Sequence, residues 1–272
     1  MAKVAVAQML SGEGWQANLA QAEALAEEAV ECGAELLLLP ENFAMLDSKA
    51  LIELAKEEKE SQVITGFVAA LASRLNIWII AGSVPLLNDS EDKVFASCLV
   101  FNCDGQLADR YDKIHLFDVD VADTHSVYRE SDFIEHGKEL VVAATPLGKI
   151  GLSICYDLRF PEHYQKLRLG GAEILIVPSA FTYVTGEAHW EVLLRARAIE
   201  TQCYVLAANQ GGEHSESRKS WGHSMIIDPW GKVLAEKQEP GPGVIIAEIE
   251  VDEILTRRKA MPIIEHRQKA GF

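Results

Sequence analysis

The chain has 272 residues, 49% of them hydrophobic, and a formal net charge of −16 at pH 7. That length suits one large domain, residues 1–272, with a substantial core, and so acidic a surface excludes a general nucleic-acid-binding role, which needs a basic footprint. No apolar run reaches the ~20 residues of a membrane span, no signal-peptide h-region is visible, and the five scattered cysteines (Cys32, Cys98, Cys103, Cys155 and Cys203) fit neither a disulfide framework nor a paired metal site, so a reducing cytoplasm is the expected compartment.

In chain order, Val4–Gln8 reads as a strand and Trp15–Cys32 as an amphipathic helix that stops at Gly33. The run Glu35–Leu39 returns to strand and ends at Pro40-Glu41. Ser61–Leu75 is helical, Ile77–Ser83 is a strand, and Phe95–Asn102 pairs with Gln106–Lys113 across the turn signal Asp104-Gly105. The polar stretch from Phe117 to Gly137 has little periodicity and reads as a long loop, of a length that tends to be functional and to close over a site. Beyond it come strand Ile150–Ile154, helix Glu162–Leu169, strand Glu173–Pro178, helix His189–Thr201 and strand Tyr204–Asn209. Two further strands, around His223–Ile227 and Val244–Ile249, flank the turn at Asp228-Pro-Trp-Gly231. The pattern is α/β with antiparallel pairs mixed in, without a dividing linker.

Polar groups that could do chemistry stand where strands end. Cys155 closes the apolar run Ile150–Ile154 and precedes Pro161-Glu162, a helix opening, so it sits at a strand-to-helix elbow. Most free cysteines are simply buried small hydrophobes, but an elbow exposes the sulfur beside helix-terminal N–H groups that hold an oxyanion. Glu41 follows Leu36–Pro40 at the end of a strand, where ligands gather in open α/β sheets; alone it would equally serve as a helix cap beside Asn42. Lys113, between apolar and aromatic neighbours, is poorly solvated unless an acid pairs with it, and Glu41 is one partner. Glu130, in Tyr128-Arg-Glu-Ser131, reads on composition as a solvated loop acid. A thiol, a lysine and carboxylates suit amide hydrolysis without metal or cofactor. Glu41 takes the thiol proton and returns it to the leaving amine, while Lys113 and the Tyr156 backbone N–H steady the oxyanion.

These residues lie in three blocks, Pro40-Glu-Asn-Phe43, Tyr111-Asp-Lys-Ile-His-Leu-Phe117 and Gly151-Leu-Ser-Ile-Cys-Tyr-Asp-Leu-Arg-Phe-Pro161. Their order and content resemble the signature of the nitrilase superfamily of carbon–nitrogen hydrolases over essentially the whole chain. The resemblance implies a four-layer α-β-β-α sandwich, association of two subunits, and a Glu-Lys-Cys triad in which Glu41 is the general base, Lys113 the oxyanion-stabilising lysine and Cys155 the nucleophile, with Glu130 as a second glutamate orienting the lysine. The segments Phe181–Trp190, Leu194–Gln202 and Ser220–Ser224 are similar to the branch containing the deaminated-glutathione amidases and the omega-amidases, with the former the nearer in Thr182-Tyr183 and Gly186–Trp190. That branch implies a small amide substrate with an α-keto carboxylate. Arg159 is then expected to bind the carboxylate, although an ion pair with Glu162 or Asp157 is as good a reading, and Thr182 and His189 to line the pocket. A nitrilase acting on C≡N, and a non-catalytic binding protein on the same fold, are the readings to be separated from it.

Overall fold

The computed structural model describes residues 1–47, 50–121, 127–216 and 218–271. Two six-stranded sheets dominate it. The first runs in the order Gly243–Ile249, Ala2–Gln8, Leu36–Leu38, Trp78–Leu87, Val94–Phe101, Leu107–Asp112, and the second in the order Val233–Glu236, Met225–Ile227, Tyr204–Ala207, Ile174–Ile176, Gly148–Gly151, Val142–Thr145. Each has three parallel strands at its centre and antiparallel strands at its edges. Parallel neighbours need crossovers, and the helices supply them: Trp15–Glu31 and Thr65–Leu75 on one sheet, Pro161–Leu169 and Tyr183–Thr201 on the other.

The two-residue period of a strand sorts the core into layers. Along Ala2–Gln8, Val4 and Val6 face the second sheet together with Leu36, Leu38, Ile80 and Val100. Ala5 and Ala7 face the opposite way, with Leu37, Ile79 and Ala81, onto Leu19, Leu25 and Ala29 of one helix and Val68 and Leu71 of another. The second sheet is covered on its far side by Tyr164, Leu167, Trp190 and Leu194. Helix, sheet, sheet, helix is therefore the layer order, as the resemblance implied.

Several elements depart from the sequence-based expectations. The helix expected over Ser61–Leu75 begins at Thr65, and a helix that was not expected, Leu51–Ser61, precedes it; Gln62, with a left-handed φ of 50°, separates the two. Buried Glu58 joins them by accepting the Ile64 N–H at 2.6 Å. The stretch Phe117–Gly137 is not a featureless loop. It contains a ribbon, Asp118–Asp120 paired antiparallel with Val127–Arg129, and a 3₁₀ turn at Glu130–Asp132; its residues 122–126 lie outside the described residues. The expected strand Ile150–Ile154 pairs only through Gly151. From there the chain runs to a 3₁₀ turn at Cys155–Arg159, and the helix opens at Pro161.

Candidate active site

Glu41 reaches its position through a close backbone approach. The chain leaves the strand Leu36–Leu38 at Leu39-Pro40, directly beside Gly82 of the neighbouring strand, where a Cβ would lie 2.2 Å from the Leu39 carbonyl oxygen. Only glycine permits that approach. No helix begins at Asn42, which has a φ of 57°, so Glu41 caps nothing; the Asn42 N–H donates to Ser83 Oγ at 2.7 Å. The Gln210 side chain, three residues past the strand Tyr204–Ala207, clamps the segment, donating through Nε2 to the Glu41 carbonyl at 3.1 Å and to Ser11 Oγ at 2.8 Å. The Glu41 carboxylate is thereby buried, with Oε2 accepting the Ala180 N–H at 2.9 Å and Oε1 accepting Lys113 Nζ at 2.8 Å.

Lys113 follows the edge strand Leu107–Asp112, and 1% of its side chain is exposed. Its ammonium is shared with Glu130, whose two carboxylate oxygens lie at 2.7 and 2.9 Å. Burial alone would push the lysine pKa down; the negative charges of Glu130 and Glu41 outweigh it and hold the ammonium well above its ordinary value. Burial, against the opposing pull of Lys113, moves Glu130 up from the usual carboxylate range, and the Glu41 charge adds to the rise. An ammonium has three N–H groups. Here one faces Glu41 and two face the oxygens of Glu130, so a substrate oxygen would take the place of one of the two Glu130 contacts.

Cys155 begins the 3₁₀ turn with a φ of 45°, a left-handed conformation that costs a non-glycine residue about 1 kcal/mol or more. Its own N–H donates to the Pro178 carbonyl at 2.9 Å, which ties the elbow to the loop after the strand Ile174–Ile176. The next N–H, that of Tyr156, has no acceptor among the described residues. Burial and the Glu41 charge push the Cys155 thiol well above the ordinary cysteine pKa, partly offset by Lys113 and the Ala180 N–H. The resting sulfur therefore carries its proton and needs a base to become a nucleophile.

Glu41, Lys113, Glu130 and Cys155 all line one cavity of about 340 Å³, a size suited to a small molecule. Tyr156 and Thr182 line it as well. Arg159 and His189 do not. The Arg159 guanidinium lies 5.2 Å from the Phe181 ring centroid and 5.8 Å from that of Tyr156, two rings of the cavity wall, and contacts His189 Nδ1 at 3.2 Å. Among the described residues no ion pair joins Arg159 to Glu162 or Asp157, so that reading of it is not met. The cations that do line the cavity besides Lys113 are Arg129, Arg218 and Lys219. Arg129 is spent on Asp120 and on two carbonyls, and Lys219 on Glu213.

Three contributors were not anticipated. The Ala180 N–H fixes Glu41, Gln210 clamps its backbone, and Phe117, Tyr128 and Phe133 supply aromatic wall from the segment read as a loop. A backbone donor leaves no mark on a residue list. The aromatic residues did stand in the sequence, but it is the ribbon and the 3₁₀ turn between them that bring them to the cavity wall. His115, Asp157 and His163 place ligand-type atoms within 4.8 Å of one another. The 2.6 Å between His115 Nδ1 and Asp157 Oδ1 is nevertheless hydrogen-bond geometry, shorter than the about 3.3 Å between two ligands of one tetrahedral ion with bonds near 2.0–2.1 Å.

Comparison with known proteins converges on one family. The model of the carbon–nitrogen hydrolases matches residues 3–259. A deaminated glutathione amidase of Yersinia enterocolitica is 44% identical over 268 residues, covering 98% of this chain and 93% of the relative. The human protein of the same description is 39% identical, covering 97% and 82%. Among solved structures, the Caenorhabditis elegans NitFhit protein superposes with a TM-score of 0.92 at 38% identity, over 100% of this chain and 67% of its own. Saccharomyces cerevisiae Nit3, a member of branch 10 of the nitrilase superfamily, gives 0.84 at 32% identity, over 96% and 95%.

Proposed function

The chain belongs to the carbon–nitrogen hydrolase family and is a hydrolase of non-peptide carbon–nitrogen bonds, and from that premise we propose that it cleaves the amide of deaminated glutathione, with Cys155 as nucleophile, Glu41 as general base and acid, and Lys113 as oxyanion donor. The observation that carries the assignment of roles is the contact set Glu41–Lys113–Glu130 in the one cavity that Cys155 also lines. The substrate comes from the description shared by relatives up to 44% identical over nearly the whole chain.

In this reading Glu41 takes the Cys155 proton and the sulfur attacks the amide carbonyl carbon. The carbonyl π pair moves to oxygen, where Lys113 and the Tyr156 N–H receive it; each such donor is worth roughly 3–4 kcal/mol in a dry site. The C–N bond then breaks as Glu41 hands its proton to the departing nitrogen, which releases cysteinylglycine and leaves a 2-oxoglutaryl thioester. Water takes the vacated place, Glu41 removes one of its protons, and the hydroxyl oxygen adds to the thioester carbon. Loss of the sulfur frees 2-oxoglutarate, and Glu41 returns the proton to sulfur. Glu130 keeps the ammonium in place and charged throughout. No step uses a cofactor.

An exposed apolar face supports pairing of two copies in solution. Val192 and Ile199 lie seven residues apart on one helix and are 69% and 48% exposed, and Trp230, 64% exposed, precedes Gly231, which packs on Ile199. The test of the substrate is the initial rate of 2-oxoglutarate release from deaminated glutathione and from 2-oxoglutaramate. Preference for the former, lost in Cys155→Ala, is expected. Preference for 2-oxoglutaramate would move the assignment to the omega-amidases, and activity on nitriles alone would overturn it.

A further inference from the structure

The catalytic side chains come from three separate segments, so something must fix their spacing. Between the Lys113 segment and the Cys155 elbow lies one buried carboxylate, that of Asp157, with no exposed surface. Its Oδ2 accepts the Tyr111 hydroxyl at 2.6 Å and the Ile154 N–H at 2.8 Å. Its Oδ1 faces the His115 N–H at 3.1 Å and His115 Nδ1 at 2.6 Å. Tyr111 and His115 stand two residues before and two residues after Lys113, and Ile154 immediately precedes Cys155. The Tyr111 hydroxyl also accepts the Ile114 N–H at 3.1 Å, closing the turn that contains the lysine. His115 stacks on Phe160, 3.7 Å between centroids, which holds its ring against the far end of the elbow.

We propose that Asp157 is a positioning residue that latches the Lys113 segment to the Cys155 elbow and so sets the distance between the oxyanion donor and the nucleophile. It is absent from the cavity wall and touches no reacting atom. The proposal rests on the roles assigned above to Lys113 and Cys155. Burial opposes ionisation of this carboxylate, but the His115 ring, the nearby His163, the Tyr111 hydroxyl and the Ile154 N–H together hold it below the usual range. Such a latch matters because a displacement of the order of 1 Å in a catalytic group costs up to about 100-fold in rate.

Asp157→Asn keeps the shape but cannot accept from all four donors, and Tyr111→Phe leaves the carboxylate while removing one of its four bonds together with the hydroxyl's contact to the Ile114 N–H. In the full-length chain, Asp157→Asn is expected to lower kcat for the amide at least about tenfold with KM within about twofold, and Tyr111→Phe to act in the same direction by about threefold. Alkylation of Cys155 by iodoacetamide at fixed pH gives a second readout that needs no substrate. It slows in both variants if Lys113 has moved away from the sulfur, since the ammonium stabilises the thiolate. Lower thermal stability with kcat and alkylation rate at their wild-type values would assign Asp157 a structural role only and overturn the proposal. If Asp157→Asn does not fold, Tyr111→Phe decides by the same two outcomes. Should the wild type fail to turn over deaminated glutathione, the substrate assignment falls while the alkylation rates still test the latch.

Discussion

The site holds one buried ammonium between buried Glu41 and part-buried Glu130, with Nζ of Lys113 2.8 Å from Glu41 and 2.7 Å from Glu130. Removing the cation leaves two like charges facing each other, one of them buried. Lys113→Met is therefore expected to cost about 3–5 kcal/mol of stability in denaturant titration and about 100-fold or more in kcat through the lost oxyanion donor; unchanged kcat in the folded variant would exclude that role. A second titratable group is held between Ser11 and Ser220. His214 Nδ1 contacts the Ser11 carbonyl at 2.8 Å, so it carries the proton, and Nε2 accepts from the Ser220 hydroxyl at 3.0 Å. Burial lowers its pKa from 6.5 to about 4. The unfolded chain takes up a proton as pH falls through 6.5, whereas the folded chain waits until about 4, so this contribution is full above 6.5 and drains away across that window. At most roughly 3 kcal/mol is involved. His214→Gln should flatten the acid limb of a stability-against-pH curve between those values; an unaltered limb would show that His214 titrates normally.

Each segment proposed to be catalytic is steered by an element boundary, and the boundaries differ in how far the sequence reveals them. At Gly82 a Cβ would meet the Leu39 and Pro40 backbone at 2.2 and 2.5 Å. Gly82→Ala is expected to displace Glu41, lowering the melting temperature by several degrees and kcat by at least about tenfold; wild-type melting and kcat would mean the strands separate freely. The two-residue alternation of Val4–Gln8 and the apolar run Leu36–Leu39 gave their strands away, and the acids and thiol that follow such runs were legible as site candidates. Where apolar periodicity is absent, the reading failed. The Lys- and Glu-rich helix Leu51–Ser61 buries little beyond Leu51, Leu54, Ala55 and Glu58. The ribbon at Asp118–Asp120 and Val127–Arg129 alternates only exposed and half-buried residues. Arg159 illustrates the limit at a single side chain: its place four residues past Cys155 was visible, but its packing against Phe181 and His189 depends on a loop and a helix far along the chain.

For the molecule as a whole, two sheets packed face to face bring strand ends from both halves to one cavity, so neither half holds a complete site. The same fold leaves Val192, Ile199 and Trp230 in solvent. If two copies meet there, Val192→Glu with Ile199→Glu should convert a dimer into a monomer in sedimentation-velocity runs with the far-ultraviolet circular dichroism unchanged; a variant that remains dimeric would move the interface elsewhere. The central claim, a thioester on one cysteine, is tested most directly by acid-quenching the enzyme during turnover of deaminated glutathione and weighing its peptides by mass spectrometry. A 2-oxoglutaryl mass increase confined to the peptide containing Cys155, and missing from Cys155→Ala, is the expected result. Turnover by the wild type with no acylated Cys155 peptide, or turnover that survives in Cys155→Ala, would contradict it.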